Sequence, residues 1–329
     1  MVTLVTGVRS GLGRRVAASL DGVGDNVVEL DTTTPDPRPA ECLVHLAAGD
    51  HDTLASRRTN AVDMTGRVLD AATDSGVAHV VLLSSAMVYG AWPNNPVPLT
   101  EDAPLRPDPG FRFVEQLALV EQMADAWRVA VPGRSVTVLR PALTLAAEGT
   151  SSVVRALAAG LGSRIDEEDP PAQFLHLDDL ASAVVLAHDR RLDGVFNVAP
   201  DGWVPGERVR ALAGTPPRLR LPSALAERVA DLRWRFQRGP IPPGLRSYTR
   251  HPWLVASDRL RGAGWRAATT NEQAYVEGTE AKWWTMLTPK RKQELSLAAM
   301  GLLSLGLLTT AVLLIRRARS RLTSSARSS

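Results

Sequence analysis

Gly7, Gly11 and Gly13 fall within "VTLVTGVRSGLGRRV", between a β-branched run and a helical stretch. Glycines so spaced let the backbone turn tightly and approach a pyrophosphate with no Cβ in the way. The helix that follows then directs its positive end at the anion. Arg9, Ser10 and Leu12 complete the turn, and a second β-rich run ends in Asp31, 18 residues after Gly13. An acid there accepts hydrogen bonds from both hydroxyls of an adenosine ribose and repels a 2′-phosphate. The pattern points to a bound dinucleotide, NAD ahead of NADP, although Arg9 and Arg14 would suit the extra phosphate. The plain alternative is a glycine turn without a ligand.

Other chemistry-bearing residues are sparse. The six histidines show no metal-ligand spacing, and Asp50-His51-Asp52 reads as a solvated loop, so no metal is expected. The single cysteine, Cys42, excludes an internal disulfide and sits in an apolar run, as a buried thiol in a reducing compartment would. Asp193 and Asp201 read as turn residues.

The elements that must position these groups alternate. Strand-like runs cover 2–6, 26–31, 42–48, 79–85, 135–141 and 194–199, and helical stretches fall near 11–20, 60–75, 113–130 and 178–188. This is the pattern of an α/β Rossmann domain, a doubly wound parallel sheet, over residues 1–199. Prolines between 93 and 109 mark a long loop after the fourth run, where site walls are commonly built. From 200 to 287 the text turns to Pro-, Arg- and Trp-rich loops and short helices, "PSALAERVADLRWRFQ" and "SDRLRGAGW" among them, which reads as a small lid.

A basic linker, 288–294, leads to "LSLAAMGLLSLGLLTTAVLLI", residues 295–315, which carry no charge. About 20 such residues in a helix cross a bilayer core. A single carboxy-terminal membrane anchor is therefore expected, followed by a basic tail, 316–329. Residues 288–329 hold a net charge of +7 and the preceding 287 residues one of −4, so the alkaline pI belongs to the membrane segment. Nucleic-acid binding by the globular part is not expected. The first strand begins at Val2, leaving no room for a signal peptide, which keeps the globular part cytoplasmic at the cell membrane. Both flanks of the span are basic, so charge does not set its orientation.

Longer stretches carry a family likeness over about residues 1–270. "VHLAA" (44–48, with Leu46, Ala47 and Ala48), "TNAVDMTGRVLDAATDSGVAHVVLLSSAMVYG", "LTEDAPLRPDPGF", "VTVLRPA", "FLHLDDLASAVVLA" and "GVFNVAPDG" occur in one order. In this the chain resembles the extended short-chain dehydrogenase/reductase family, the NAD-dependent epimerase/dehydratase group, and most of all its actinobacterial epimerase-like members. One departure is Ser10, which stands where the extended branch has its middle glycine. The resemblance implies a reaction centre of Ser or Thr, Tyr and Lys. The tyrosine acts as acid or base on a hydroxyl while hydride moves to or from the nicotinamide, and the lysine lowers the tyrosine pKa. Ser85 matches the serine, although a serine ending a strand also serves as a polar terminus.

Glu121 and "DPGF" set the register of the next motif, so Tyr falls on Phe113 and Lys on Leu117. Phe lacks the ionisable hydroxyl and Leu has no charge or donor. No register shift restores the pair, because the only lysines are Lys282, Lys290 and Lys292, and Tyr89, Tyr248 and Tyr275 lie off this helix. Phe113, Leu117, Val120, Ala124, Trp127 and Val131 instead recur at helical spacing as an apolar stripe. The expectation is a membrane-anchored NAD-binding protein with little of the family's usual catalysis. The alternative is an active oxidoreductase or epimerase on a lipophilic alcohol or a nucleotide- or lipid-linked sugar, with Ser85, Tyr89 or a substrate hydroxyl as proton carrier. The resemblance further implies a homodimer through the helices near 60–75 and 113–130, and a mainly structural role for His176, Asp178 and Asp179.

Overall fold

Runs rich in Val and Leu that alternate with amphipathic stretches cannot bury both faces unless they pair side by side beneath helices. In the computed structural model six such runs do so: β1 (Val2–Thr6), β2 (Asn26–Glu29), β3 (Cys42–His45), β4 (His79–Leu83), β5 (Ser135–Pro141) and β8 (Gly194–Val198). All pair in parallel, in the order β2-β1-β3-β4-β5-β8. Every residue of β3 and β4 is buried, as expected for strands covered on both faces. A separate parallel pair joins β6 (Leu143–Leu145) to β7 (Phe174–His176).

The structure describes residues 1–48, 60–161, 169–214 and 243–279, with Lys290, Arg291 and Glu294 beyond them. The Asp50-His51-Asp52 loop, the helix expected over "PSALAERVADLRWRFQ" and the apolar span 295–315 lie outside the described residues. No helix among the described residues is long and apolar enough to cross a membrane. Residues 1–215 and 219–280 form one compact unit, and 216–218 with 281–329 form another.

On one face of the sheet α1 (Gly11–Gly22) packs against α5 (Leu177–Asp189), and α2 (Ala61–Asp74) contacts α3 (Arg112–Ala130). The chain order reverses between β1 and β3, and a crevice at such a point is where doubly wound sheets bind ligands. Short helices complete the unit: α4 (Ser152–Gly160), α6 (Gly206–Ala213), α7 (Arg246–Arg250), α8 (Asp258–Gly262) and α9 (Asn271–Gly278). The six strands of the sheet arise from the six runs expected. Leu30–Glu41 carries neither helix nor strand, so β2 is an edge strand and the sheet stops one strand short of the usual dinucleotide-binding order. The β6–β7 pair and α4 stand where no element was expected.

Buried polar side chains fasten the sheet to its cover. Asp179, buried on α5, accepts the Ala268 and Thr269 N–H groups (2.8 and 3.0 Å), while His176 caps α5 through the Asp178 N–H (3.2 Å). These contacts give "HLDD" the expected structural role. Cys42 is buried, and burial pushes its thiol up to about 12, as an inert core thiol requires. His45 bridges Thr6 (2.7 Å) and Thr65 (3.0 Å), and His79 meets Ser135 (2.7 Å).

Burial depresses both His45 and His79 to about 4 from an ordinary 6.5. Each is neutral in the fold and takes up a proton more readily in the unfolded chain. Their contribution is intact above pH 6.5 and is lost as pH falls towards 4, on the order of 3 kcal/mol for each histidine. Urea-unfolding midpoints should therefore fall over this window, and His45→Gln should flatten the fall. A wild-type midpoint independent of pH there would contradict the assignment.

Candidate functional site

The glycine turn is built by steric exclusion. Gly7 has φ +73°, and a Cβ on Gly13 would lie 2.0 Å from the Gly7 carbonyl oxygen, so a side chain is barred there. Ser10 caps α1, its Oγ accepting the Gly13 N–H at 2.9 Å. That leaves the N–H groups of Gly11 and Leu12 for a ligand, since the first turn of a helix has no internal acceptors for them. Leu46 follows β3 into the same cleft, and the Ala47 N–H donates to Thr6 Oγ1 at 3.2 Å, which holds this strand end beside Gly7. Ala48 is buried behind it.

Asp31 lies on the exposed end of the β2 connection. Its carboxylate accepts the Thr33 N–H (2.6 Å) and the Thr34 N–H (3.3 Å), and these hydrogen bonds hold its pKa below the usual value. The group is an anion, as a ribose acceptor must be. Arg9 is almost fully exposed and pairs with Glu29 at 3.3 Å.

A cleft opens over the carboxyl ends of β1, β3, β4 and β5. It brings together Ser10, Gly11, Leu12, Leu46, Ser85 and Phe113 of the sequence-identified residues. Gly7 and Gly13 lie beneath the turn, whereas Asp31, Ala47, Ala48 and Leu117 do not line it. Sequence reasoning missed several walls: Ser84, Thr144, Gly149, Ser151, Val154 and Trp253. "TSS" at 150–152 was a legible cap signal for α4. The contact between Gly149 and Gly11 was not legible, being remote in sequence. A Cβ on Gly11 would meet Gly149 Cα at 2.5 Å, and Gly149 itself has φ +85°. The backbones therefore touch across the cleft, which encloses about 110 Å³, against roughly 300–1,000 Å³ for typical small-molecule sites. The turn and its free N–H groups fit a dinucleotide pyrophosphate. The space around them requires the 146–151 loop to withdraw for one to enter.

Behind Ser85 lies a sealed polar cluster. Glu121 and Arg140 are both buried and pair through Arg140 Nη2 at 2.5 Å and Nε at 3.1 and 3.2 Å. Ser84 donates to Glu121 at 2.5 Å, and Arg140 Nη1 donates to the Tyr89 hydroxyl at 2.7 Å. That hydroxyl donates in turn to Asn197 at 2.9 Å. Tyr89 is fully buried, its hydrogen bonds are used, and burial pushes its hydroxyl up. It therefore fails as the substitute proton carrier, and it does not line the cleft.

Ser85 caps a single 3₁₀ turn, Ala86–Tyr89, accepting the Met87 N–H at 3.2 Å and keeping its own proton. Phe113 faces the same cleft, while Leu117, one turn on, is wholly buried in the core with Val120, Ala124 and Trp127. Val131 departs from that stripe, because α3 has ended and its side chain is exposed. No metal-holding group of His, Cys, Asp or Glu occurs among the described residues.

Arg140→Met should leave Glu121 charged and unpaired in the interior, costing about 3–5 kcal/mol, measured by urea unfolding. The double variant Glu121→Leu with Arg140→Met should recover much of that loss. Equal losses from the single and double variants would contradict the pairing.

Residues 3–199 match the model of the NAD dependent epimerase/dehydratase family. A 3-diazoavenalumate denitrifying reductase of Streptomyces sp is 32% identical over 183 residues, which is 50% of this chain and 56% of that protein. An uncharacterised protein of Mycobacterium tuberculosis is 32% identical over 126 residues, 38% of this chain and 34% of its own length. The chain thus spans about half, or less, of the curated relatives it matches. Among solved structures, the NAD complex of Thermus thermophilus UDP-glucose 4-epimerase superposes with a TM-score of 0.61 at 18% identity, covering 84% of this chain and 97% of that one. The NADPH complex of RMD from Pseudomonas aeruginosa gives 0.58 at 19% identity, covering 84% and 98%. These structures share the fold. By the extent of its family match, the chain belongs to the NAD dependent epimerase/dehydratase family.

Proposed function

We propose that this chain is a membrane-anchored nicotinamide-dinucleotide-binding protein in which the family's proton-transfer pair has been replaced, leaving little or none of the usual catalysis. The observation that carries this reading is the pairing of a complete phosphate-binding turn with an apolar wall. Gly11 and Leu12 offer N–H groups to a pyrophosphate, and across the same cleft stands Phe113, with Leu117 buried behind it. When bound, the nicotinamide would donate or accept hydride. The described residues that line the cleft include none with an ionisable side chain to move the accompanying proton. Loss of a general acid/base alone costs about 10²–10⁴-fold in rate.

NAD is favoured over NADP because an ionised Asp31, following the second strand, would repel a 2′-phosphate. Residues 295–315 would anchor the protein in the cell membrane with its globular part on the cytoplasmic side. Leu119 and Val129, exposed on α3, support a homodimer through α2 and α3.

A second reading, an active oxidoreductase, is favoured by one observation. Ser85 faces the cleft with an unspent hydroxyl proton, and a relative in part of the chain is named as a reductase.

Full-length protein in detergent should gain several degrees of melting temperature with millimolar NAD⁺, and less with NADP⁺. Asp31→Asn should narrow that difference. No shift with NAD⁺ or NADH would overturn the cofactor reading. The same samples should give a flat 340 nm trace with alcohols and NAD⁺; NADH formation that falls in Ser85→Ala would instead establish the second reading.

A further inference from the structure

No described residue lining the cleft carries a charge to meet a charged substrate. Two described cations beside it are committed elsewhere: Arg140 to Glu121 and Tyr89, and Arg15 to Asp178 and the Gly11 carbonyl. An ionised ligand drawn from water into such surroundings lacks the paired charge that offsets its desolvation. The free N–H groups of Gly11 and Leu12 can take one anion, and the pyrophosphate of the cofactor uses them. At the start of α4, Ser151 already accepts the Val154 N–H at 3.2 Å.

The remaining wall is apolar: Met87, Phe113, Leu143, Val153, Val154 and Trp253. Near Phe113 the Ser85 Oγ accepts one backbone N–H and retains a proton with which to donate once. This side of the cleft is suited to hydrocarbon bearing a single neutral oxygen.

We propose that the cleft beside the cofactor turn, widened by the same withdrawal of the 146–151 loop that the cofactor requires, takes an uncharged, largely hydrocarbon ligand whose one hydroxyl or carbonyl oxygen accepts from Ser85, and that it excludes nucleotide sugars. The proposal rests on the cofactor reading for the division of the cleft into two parts. It separates this chain from the UDP-glucose epimerase whose fold it shares, since a nucleotide sugar brings a second diphosphate that no described residue lining the cleft would neutralise. The uncharged stretch 295–315 is consistent with a ligand drawn from lipid.

The test uses the full chain in lipid nanodiscs and a farnesol analogue bearing a photoreactive diazirine, with labelled peptides mapped by mass spectrometry. Label is expected in the 141–154 peptides or at Trp253, suppressed by free farnesol and unaffected by UDP-glucose. Val154→Asp should lower that cleft label about tenfold or more, because it places a carboxylate against the hydrocarbon. Label in 295–315 should be unchanged and serves as the internal control. Suppression by UDP-glucose, absence of label from the cleft peptides, or wild-type labelling of Val154→Asp would each overturn the proposal. The NAD⁺ thermal shift is read on the same samples and on Val154→Asp, where its survival reports an intact fold. If the shift is absent while cleft label behaves as expected, the cofactor reading alone falls; if the shift persists without cleft label, the ligand proposal alone falls.

Discussion

The buried Glu121–Arg140 pair holds the site together. Two charges in the interior are tolerable only when their geometry and hydrogen bonds are complete, and here they are: Ser84 and Tyr89 add to the direct contacts, and Asn197 completes the chain. Arg140 belongs to β5, Glu121 to α3, Ser84 to the end of β4 and Asn197 to β8. The pair therefore sets the rotation of α3 against three strand ends. With Glu121 turned inward, the residues four and eight positions earlier share its side of the helix. That is why Leu117 is buried and Phe113 reaches the cleft. Ser84 is held by the same carboxylate, which places Ser85 opposite Phe113.

Close backbone approach is the second constraint. Gly13 lies against the Gly7 carbonyl, Gly11 against Gly149, and Gly278 at the end of α9 against Leu145 and Ala146. The last two contacts bracket the 145–149 stretch, so the loop that closes over the phosphate-binding turn rests on the final described helix. Glycine weakens regular structure by raising the entropy of the unfolded chain. Its use at these positions makes sense only where two backbones must meet. Position 11 has no room for a side chain while Gly149 lies on it.

Much of this was legible in the sequence. Strand runs with no polar alternation announced a sheet covered on both faces, and "TGVRSGLG" before a helix announced the turn. The lysine count needed no structure. What stayed hidden depends mostly on distance in the chain. Tyr89 reads as a substitute proton carrier, because nothing local reveals that Arg140 and Asn197 consume its hydroxyl. The Gly11–Gly149 contact joins residues more than a hundred positions apart. Helix α4 was overlooked although Ser151 offered a cap, since its small and β-branched residues read equally as loop or strand.

Neutrality of the cleft and the apolar side chains at positions 113 and 117 support one another physically. A lysine at position 117 would need an anion to balance its charge in the interior, and the buried acid on the same side of α3, Glu121, is already paired with Arg140. Leucine there is wholly buried in the core, where burial of such a side chain contributes about 1.5–3 kcal/mol. Phenylalanine at 113 likewise adds apolar surface in place of a hydroxyl that would seek a partner. Once both positions are apolar, a charged substrate loses its last source of compensation in this part of the cleft, and an uncharged one loses nothing. Reversing a single position would then cost stability without restoring proton transfer, because an isolated tyrosine keeps a pKa near 10 and an isolated buried lysine tends to lose its charge. The apolar state of the site is thus protected by its own packing.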